Sequence, residues 1–281
     1  MVLFPLHITN FKVDGGVMFG VVPKAIWQKK YPADENNLCN WALRSLVVRT
    51  RDRVVLIDTG YGNKQDEKFF RHTYLNGGDG LIYGLQKYGL GVNDVTDVVL
   101  THLHADHCGG TIQHSENRGG YEPVFKNAKV WVSKEQWEWA IKPNIRENDA
   151  FLEENILPIK ELGLLNLVED EKEIIPGIEV RFVNGHTKGQ ILPIIHYNSR
   201  KIVFAADLIP SVAHIPLLYN MAYDLFPLDT IREKEEILKE ALENDYVLFF
   251  EHDVYNECCT LASTEKGIRA KETFPLEAID K

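Results

Sequence analysis

The stretch Thr101-His102-Leu103-His104-Ala105-Asp106-His107-Cys108-Gly109-Gly110 contains three imidazoles and a carboxylate within six positions. It directly follows the mostly apolar run Val95–Leu100, which predicts a short strand. His102 and His104 lie two residues apart, so on an extended strand end they point to the same side. Neutral imidazole and carboxylate are ligands that zinc, iron and manganese accept readily. The stretch therefore predicts a metal site at the end of a strand, with Asp106 in the turn that follows.

The composition of the chain is that of a globular enzyme. Its 281 residues are 44% hydrophobic, which is enough to bury a core. The net charge of -10 disfavours nucleic acid as a partner, because phosphate backbones are bound by clustered Lys and Arg. We find no signal-peptide pattern, no apolar run near the ~20 residues that cross a bilayer, and no C-x-x-C pair. We therefore expect a cytoplasmic protein without a membrane partner, acting on a small molecule.

The length allows one large domain or two small ones, and hydrophobic patterns predict two strand-rich halves on either side of a helical insertion at about 133–172. The turn Asp14-Gly15-Gly16 predicts a hairpin between strands at 2–13 and 17–23. Further strands are predicted at 42–48, 54–57, 95–100, 128–132, 165–168, 178–183, 191–196, 202–206 and 246–250. Helices are predicted at 66–74, 80–88, 145–162 (broken near Pro158) and 230–243, where Thr230 and Glu233 form a capping box.

Three later strand ends carry the same types of residue as the first stretch. His186 follows the strand that ends at Val183, Asp207 follows an apolar strand, and His252 follows another. If these strands lie in packed sheets with their ends on one rim, the side chains converge with those of the first stretch. Such a convergence is what a two-metal site requires.

The motif His102-x-His104-x-Asp106-His107, then His186 in a Gly-His-Thr-x-Gly context, Asp207 and His252, resembles the metallo-β-lactamase superfamily. The strand-end segment Asp58-Thr59-Gly60 also matches that family. The resemblance covers nearly the whole chain and implies a single domain, residues 1–281. It also implies an α/β fold, a four-layer αβ/βα sandwich with two divalent metal ions at one edge of its sheets. Zinc is the commonest metal in such proteins, and manganese or iron also occurs. The implied ligands are His102, His104 and His186 for the first ion, Asp106, His107 and His252 for the second, and Asp207 as the bridge.

The implied ligand set predicts hydrolysis. Two ions about 3.5–4 Å apart share a water and lower its pKa towards about 7, which supplies a bridging hydroxide at neutral pH. Asp106 is the predicted catalytic residue, because it is placed to orient that hydroxide and to pass a proton to the leaving group. Asp58 is the first candidate for a carboxylate that orients one of the histidines.

The segment 18–27 and the run Phe249-Phe250-Glu251-His252-Asp253 resemble the branch that contains N-acyl homoserine lactonases and methyl parathion hydrolase-like enzymes. This resemblance implies hydrolysis of a lactone or ester, with an N-acyl homoserine lactone as the candidate substrate. One lactonase subgroup has a Tyr three positions after the bridging Asp, where this chain has Pro210, so phosphotriester and thioester hydrolysis remain alternatives. Asp207 stands where cysteine-containing β-lactamases have Cys, which disfavours antibiotic hydrolysis. A non-catalytic metal-binding protein is disfavoured because structural zinc sites are closed four-ligand sites.

Several other side chains are candidates for roles near the site. We expect Cys108 to be a small packing residue rather than a ligand. A homodimer is left open, with the first 40 residues as a candidate interface arm. The candidates for the pocket are Lys188, which would meet an anionic substrate, His214, Tyr219 and Tyr223 on a loop, and Trp27, Phe69 and Phe70 as an apolar wall.

Overall fold

The structure, a computed structural model, describes residues 1–280. The strands are β1 (Val2–Asp14), β2 (Leu38–Arg49), β3 (Val54–Ile57), β4 (Asp97–Val99), β5 (Ile112–His114), β6 (Tyr121–Pro123), β7 (Lys129–Ser133), β8 (Leu165–Val168), β9 (Glu173–Ile175), β10 (Ile178–Val183), β11 (Gln190–Tyr197), β12 (Arg200–Phe204), β13 (Val247–Phe249), β14 (Cys258–Thr264) and β15 (Gly267–Phe274). The helices are α1 (Gly15–Phe19), α2 (Lys24–Trp27), α3 (Glu67–Arg71), α4 (Leu81–Lys87), α5 (Ala105–Cys108), α6 (Lys134–Ala140), α7 (Glu153–Glu161) and α8 (Pro227–Glu243).

Two large sheets form the centre of the molecule. The first has the strand order β1-β2-β3-β4-β7-β8, and the second has the order β15-β14-β13-β12-β11-β10-β9. In the first sheet β3, β4, β7 and β8 run parallel, and in the second β12 and β13 run parallel. Parallel neighbours end at the same edge of a sheet, so the segments that follow them meet there.

Alternating apolar residues in β2, β3 and β4 build two cores, one on each face of the first sheet. Val55, Ile57 and Val99 face the second sheet and share a core with its strands. Leu56 and Val98 lie on the other face. The period of two residues thus sends neighbouring side chains to opposite faces. Both faces are buried, which explains the almost unbroken apolar sequence of these strands.

Helices cover the outer face of each sheet and complete four layers. Helices α4, α6 and α7 add apolar side chains to the outer core of the first sheet. Helix α8 packs its apolar stripe, which includes Ile237, Leu238 and Ala241, against the second sheet. The predicted four-layer αβ/βα sandwich is therefore confirmed. Within residues 1–280, no helix is both long and apolar enough to span a bilayer.

The N-terminal segment differs from the predicted hairpin. Asp14 accepts hydrogen bonds from the backbone amides of Gly16 and Val17, so it caps helix α1 instead of starting a turn between strands. Strand β1 pairs with β2 instead. The predicted strand at 17–23 is wrong because its apolar residues Met18 and Phe19 pack into a separate aromatic core rather than onto a sheet.

Two helix predictions also change in detail. Helix α8 begins at Pro227, and the predicted capping box is wrong because Glu233 turns away from the helix. Its carboxylate accepts hydrogen bonds from the amides of Asn184 and Gly185 instead. Pro158 lies inside α7 and does not break it. The range 133–172 contains α6 and α7 and also β8, which pairs with β7 at the edge of the first sheet.

Backbone hydrogen bonds join the two sheets at the edge where the strands end. The amide of Ala42 donates to the carbonyl of His252 (3.0 Å), and the amide of Ile191 donates to the carbonyl of Thr101 (2.8 Å). The segments that follow β4 and β13 are thereby held against the opposite half of the molecule. This edge is where all the predicted ligands lie.

Candidate metal centre

All seven predicted ligands meet at one edge of the two sheets. They form one cluster, which we call the seven-residue cluster: His102, His104, Asp106, His107, His186, Asp207 and His252. The first stretch enters it from β4, and the three later residues enter from β10, β12 and β13. The cluster is almost fully buried, and the carboxylate of Asp106 is its most exposed side chain at 21%.

One half of the cluster consists of three imidazoles. Nε2 of His102 lies 3.0 Å from Nδ1 of His104, and Nε2 of His186 lies 3.2 Å from the same atom. His102 and His104 therefore do point to one side, as their spacing predicts. The three nitrogens could hold one metal ion.

The other half combines two imidazoles with a carboxylate. Nε2 of His107 lies 3.3 Å from Nε2 of His252 and 3.6 Å from Oδ2 of Asp106. These three side chains could hold a second ion. Asp106 and His107 lie on the one-turn helix α5 rather than in an irregular turn, because the amides of His107 and Cys108 both donate to the carbonyl of His104.

Asp207 lies between the two halves. Its Oδ2 is 3.1 Å from Nε2 of His186 in the first half, and its Oδ1 is 2.9 Å from Nε2 of His252 in the second. Each carboxylate oxygen thus faces a different group of imidazoles. This is the placement that a bridging ligand requires.

Carboxylates outside the cluster fix the orientation of two rings. Nδ1 of His107 lies 3.0 Å from Oδ2 of Asp58, and Nδ1 of His186 lies 3.1 Å from Oδ1 of Asp224. Because a carboxylate only accepts, Nδ1 of each ring is the donor. The prediction that Asp58 orients a histidine is confirmed.

Two further rings are oriented in the same way. Nε2 of His104 lies 3.2 Å from Oε1 of Glu147, and Nδ1 of His252 lies 2.9 Å from the carbonyl oxygen of Ala42. His104 therefore turns its Nδ1 towards the cluster, and His252 turns its Nε2. The inner nitrogen differs between the two rings because the outer partner holds Nε2 in His104 and Nδ1 in His252.

Thr101 orients the fifth ring. Its hydroxyl donates to Oδ2 of Asp58 (2.6 Å), which leaves its oxygen to accept from Nδ1 of His102 at 3.0 Å. In the neutral form, all five rings of the cluster thus present a lone pair to the centre. Five inward lone pairs beside two carboxylates favour a bound cation, because facing lone pairs repel one another unless a positive charge lies between them.

The electrostatics of the cluster also favour positive charge. Burial lowers the pKa of His102 well below its ordinary value and lowers that of His104, so both rings are neutral. For His252, burial opposes the charge, but Asp207 raises the pKa to about 9. Burial acts against the charge of Asp207 as well, yet the rings led by His252 hold its pKa well below the usual range. Protons and divalent cations therefore compete for the inner nitrogens.

A cavity of about 800 Å³ opens over the cluster. Apolar side chains from β1, α1, α3 and a segment after β12 line one side of it; we call them the cavity wall, and they are Phe11, Val13, Val17, Met18, Phe69 and Met221. Lys12, Arg146 and Tyr223 lie at its polar margin. Arg146 donates to the carbonyl of Ala222 and so connects the segment before α7 to the segment before α8.

The other candidates for the pocket divide into two groups. Phe69 and Tyr223 line the cavity as predicted. Trp27 and His214 do not, since both are buried in the aromatic core around Phe19. Tyr219 packs edge-on against Phe19, Phe70 packs against Phe69, and Lys188 lies near Glu135 and over the ring of Phe226. Cys108 is buried and donates to a backbone carbonyl, which confirms a packing role.

Three carboxylates that support the cluster were not predicted from the sequence: Glu147, Asp224 and Glu251. Glu147 also accepts from the hydroxyl of Thr187 (2.6 Å), next to His186. Oε2 of Glu251 lies 3.1 Å from Nδ1 of His107, beside Asp58. Nothing in their local sequence marks Glu147 and Asp224, because both lie in irregular segments. Glu251 stands directly before a predicted ligand, which was the one available signal.

The chain matches the family described as the metallo-β-lactamase superfamily over residues 44–252, from strand β2 to the last member of the cluster. The chain belongs to the metallo-β-lactamase superfamily. It is accordingly a metal-dependent hydrolase, and its site binds divalent metal. The resemblance to this superfamily, inferred from the motif at 102–107 and from His186, Asp207 and His252, is confirmed.

Individual relatives agree with this assignment. The chain is 23% identical over 241 residues to an N-acyl homoserine lactonase of Bacillus thuringiensis, covering 78% of this chain and 84% of that protein. It is similar to the crystal structure of a probable metal-dependent hydrolase from Staphylococcus aureus, with 31% identity, a TM-score of 0.89, and coverage of 99% and 98%. The fold also matches AidC, a dizinc quorum-quenching lactonase, with 23% identity, a TM-score of 0.80, and coverage of 97% and 95%.

Proposed function

We propose that this protein is a dinuclear metal hydrolase that opens a lactone or cleaves an ester bearing an apolar acyl group. The observation that supports the proposal best is the set of five imidazoles whose outer partners turn a lone pair inward. An N-acyl homoserine lactone is the substrate we would test first, because lactonases of that class are among the relatives of this chain.

The cluster fits two divalent ions. Oδ1 of Asp207 is buried and has no hydrogen-bond donor with acceptable geometry among residues 1–280. A buried oxygen of this kind is costly unless a cation compensates it. We assign one ion to His102, His104 and His186, a second to Asp106, His107 and His252, and the bridge to Asp207. Zinc is the metal to test first, since tetrahedral nitrogen and oxygen sites suit it; manganese and iron are the alternatives.

The bound ions would supply an activated water and polarise the scissile carbonyl group. The chain's own contribution begins with Asp106, the most exposed carboxylate of the cluster, which lines the cavity. From that position it can accept a proton from the attacking water and release it to the leaving oxygen. Asp58, Glu147 and Asp224 keep the rings in the tautomers that this arrangement needs.

The cavity wall supports a substrate with an apolar chain. Phe11, Met18 and Met221 are nearly fully buried, yet each contributes surface to the cavity. A chain of methylene groups that leaves water for such a surface gains about 0.8 kcal/mol per group. The carbonyl group of the same molecule would then lie over the cluster, within reach of Asp106.

A substrate panel tests the proposal. Zinc-loaded protein would be assayed with acyl-homoserine lactones, aryl esters, phosphotriesters, thioesters and β-lactams, at equal concentration and with a metal-stripped sample as the control. We expect lactones or esters to be cleaved fastest and the stripped sample to be inactive. Faster cleavage of a phosphotriester or thioester would show that lactones and esters are not the preferred substrates. Metal-independent cleavage would refute the mechanism.

A further inference from the structure

The segment that follows β3 lies directly against the segment that follows α5. A Cβ atom added to Gly109 would collide with the carbonyl oxygen of Tyr61, and one added to Gly110 would collide with that of Thr59. Neither glycine has a positive φ, so both are needed for close approach rather than for a turn. We call this contact the glycine seam; it joins residues 59–62 to residues 109–110.

Hydrogen bonds hold the glycine seam in one register. The amide of Thr59 donates to the carbonyl of His107 (2.7 Å), and the amide of Gly110 donates to the carbonyl of Gly60 (2.9 Å). The buried ammonium group of Lys64 donates to the carbonyls of Gly109 and Ile112. The backbone of Tyr61 is therefore fixed relative to α5, the helix that carries Asp106 and His107.

The side chain of Tyr61 extends from the seam into the cavity. Its ring packs edge-on against Phe11 (6.0 Å between centroids) and Phe69 (5.8 Å), and it lines the cavity together with Asp106 and Asp207. Its hydroxyl makes none of the hydrogen bonds found within residues 1–280. Burial, and after it the charge of Asp106, raises the pKa of Tyr61 well above its ordinary value, so the phenol stays a donor.

We propose that Tyr61 is a catalytic residue of this hydrolase, whose hydroxyl donates a hydrogen bond to the scissile carbonyl oxygen as that oxygen gains negative charge. This inference rests on the proposed function. A donor that is fixed before the substrate arrives stabilises developing charge without reorganisation. Tyr61 meets that condition because the glycine seam fixes its backbone and two aromatic rings fix its side chain.

Tyr223 is the competing phenol in the cavity. It is 49% exposed and lies on the irregular segment before α8, so its hydroxyl is less constrained than that of Tyr61. Tyr219 lies on the same segment but outside the cavity, against Phe19. Replacing Tyr223 by Phe tests the competing phenol. Replacing Tyr219 by Phe is the matched control, because it removes the same hydroxyl group outside the cavity.

The test compares Tyr61→Phe, Tyr223→Phe and Tyr219→Phe in the metal-loaded enzyme. We expect Tyr61→Phe to lower kcat about 10- to 100-fold with KM changed less than about 3-fold, because the hydroxyl acts on charge that develops in the transition state. Tyr219→Phe should leave both constants unchanged. Equal metal content and melting temperature in the three variants would exclude a structural cause.

A binding measurement separates this inference from the substrate class. A phosphonate analogue of the tetrahedral intermediate, titrated by calorimetry, should bind Tyr61→Phe about 10- to 100-fold more weakly than wild type. Wild-type protein that cleaves no lactone or ester would contradict the proposed function, and the phosphonate titration would still test Tyr61. Full kcat and full phosphonate affinity in Tyr61→Phe, or loss confined to Tyr223→Phe, would overturn the inference.

Discussion

The seven-residue cluster and the cavity wall face the same space but are built differently. In the cluster, each imidazole has one nitrogen held by a named acceptor, and most of these acceptors are carboxylates such as Asp58 and Glu147. In the wall, side chains such as Met18 and Met221 are held by apolar packing. The cluster lies at strand ends, whereas the wall comes largely from short helices and an irregular segment.

This difference separates chemistry from specificity. A buried hydrogen bond is directional, and losing one partner leaves the other buried and unsatisfied. Apolar packing tolerates changes of shape when volume is kept. We therefore expect changes in the cluster to act on metal binding and kcat, and changes in the wall to act on KM and on the preferred acyl chain.

The largest effect is expected for His104→Ala. This substitution removes the nitrogen that both His102 and His186 face. We expect metal content to fall and hydrolysis to drop by at least about 10³-fold, as a metal-dependent reaction requires. His196→Ala is the control, because His196 is half-exposed and pairs with Glu179 on the surface. Equal losses of metal and of activity in His104→Ala and His196→Ala would contradict a specific role of the cluster in metal binding.

A smaller effect is expected for Glu147→Ala, which removes the acceptor for His104 but replaces none of the proposed ligands. Loss of such a partner costs about 10- to 100-fold in metal affinity or activity. Zinc affinity measured by competition with a chelator checks this. Glu147→Gln keeps an oxygen acceptor and should recover most of the affinity. Wild-type affinity in Glu147→Ala would show that the ring is held in another way.

A change in the wall should act on binding alone. Met221→Ala removes apolar surface from the cavity, so we expect KM for a long-chain lactone to rise about 10-fold. The kcat value, and KM for a short-chain lactone, should stay near wild type. Leu218→Ala is the control, because Leu218 is 68% exposed on the same segment. A fall in kcat would mean that the wall takes part in the chemistry.

The smallest effect is expected when Lys234 is replaced, and it is a change in how the free energy of unfolding depends on pH. Buried Lys234 donates to the carbonyls of Pro216 and Tyr219, and burial lowers its pKa to about 7, with Asp224 acting in the opposite direction. The unfolded chain, with a pKa of about 10.4, holds more protons above pH 7, so this group makes the free energy of unfolding rise with pH. The free energy of unfolding of Lys234→Met, measured with urea, should rise less steeply between pH 7 and 9 than that of wild type. Equal pH slopes in wild type and Lys234→Met would contradict the lowered pKa of Lys234.

The sequence predicts the cluster well because its signal is local. His102, His104, Asp106 and His107 lie within six residues, and strand ends mark His186, Asp207 and His252. The spacing cannot show which nitrogen each ring turns inward. That depends on partners such as Asp224, which lies 38 residues from His186 and comes close only in the folded chain.

The wall and the details of several elements were harder to predict. Apolar residues at Met18 and Phe19 fit a strand or a core helix equally well, and only the cap at Asp14 decides between them. Glu233 has the spacing of a capping box, but tertiary hydrogen bonds to Asn184 and Gly185 use its carboxylate instead. Such competition between local and distant partners is not visible in the sequence.

Metal titration tests the proposed two-metal site of the seven-residue cluster most directly. Chelator-stripped protein would be titrated with zinc by calorimetry, and lactone and ester hydrolysis would be measured after each addition. We expect two equivalents to bind per chain, with hydrolysis restored as they bind. Binding of less than one equivalent, or hydrolysis that is unchanged after the metal is stripped, would contradict a two-metal site.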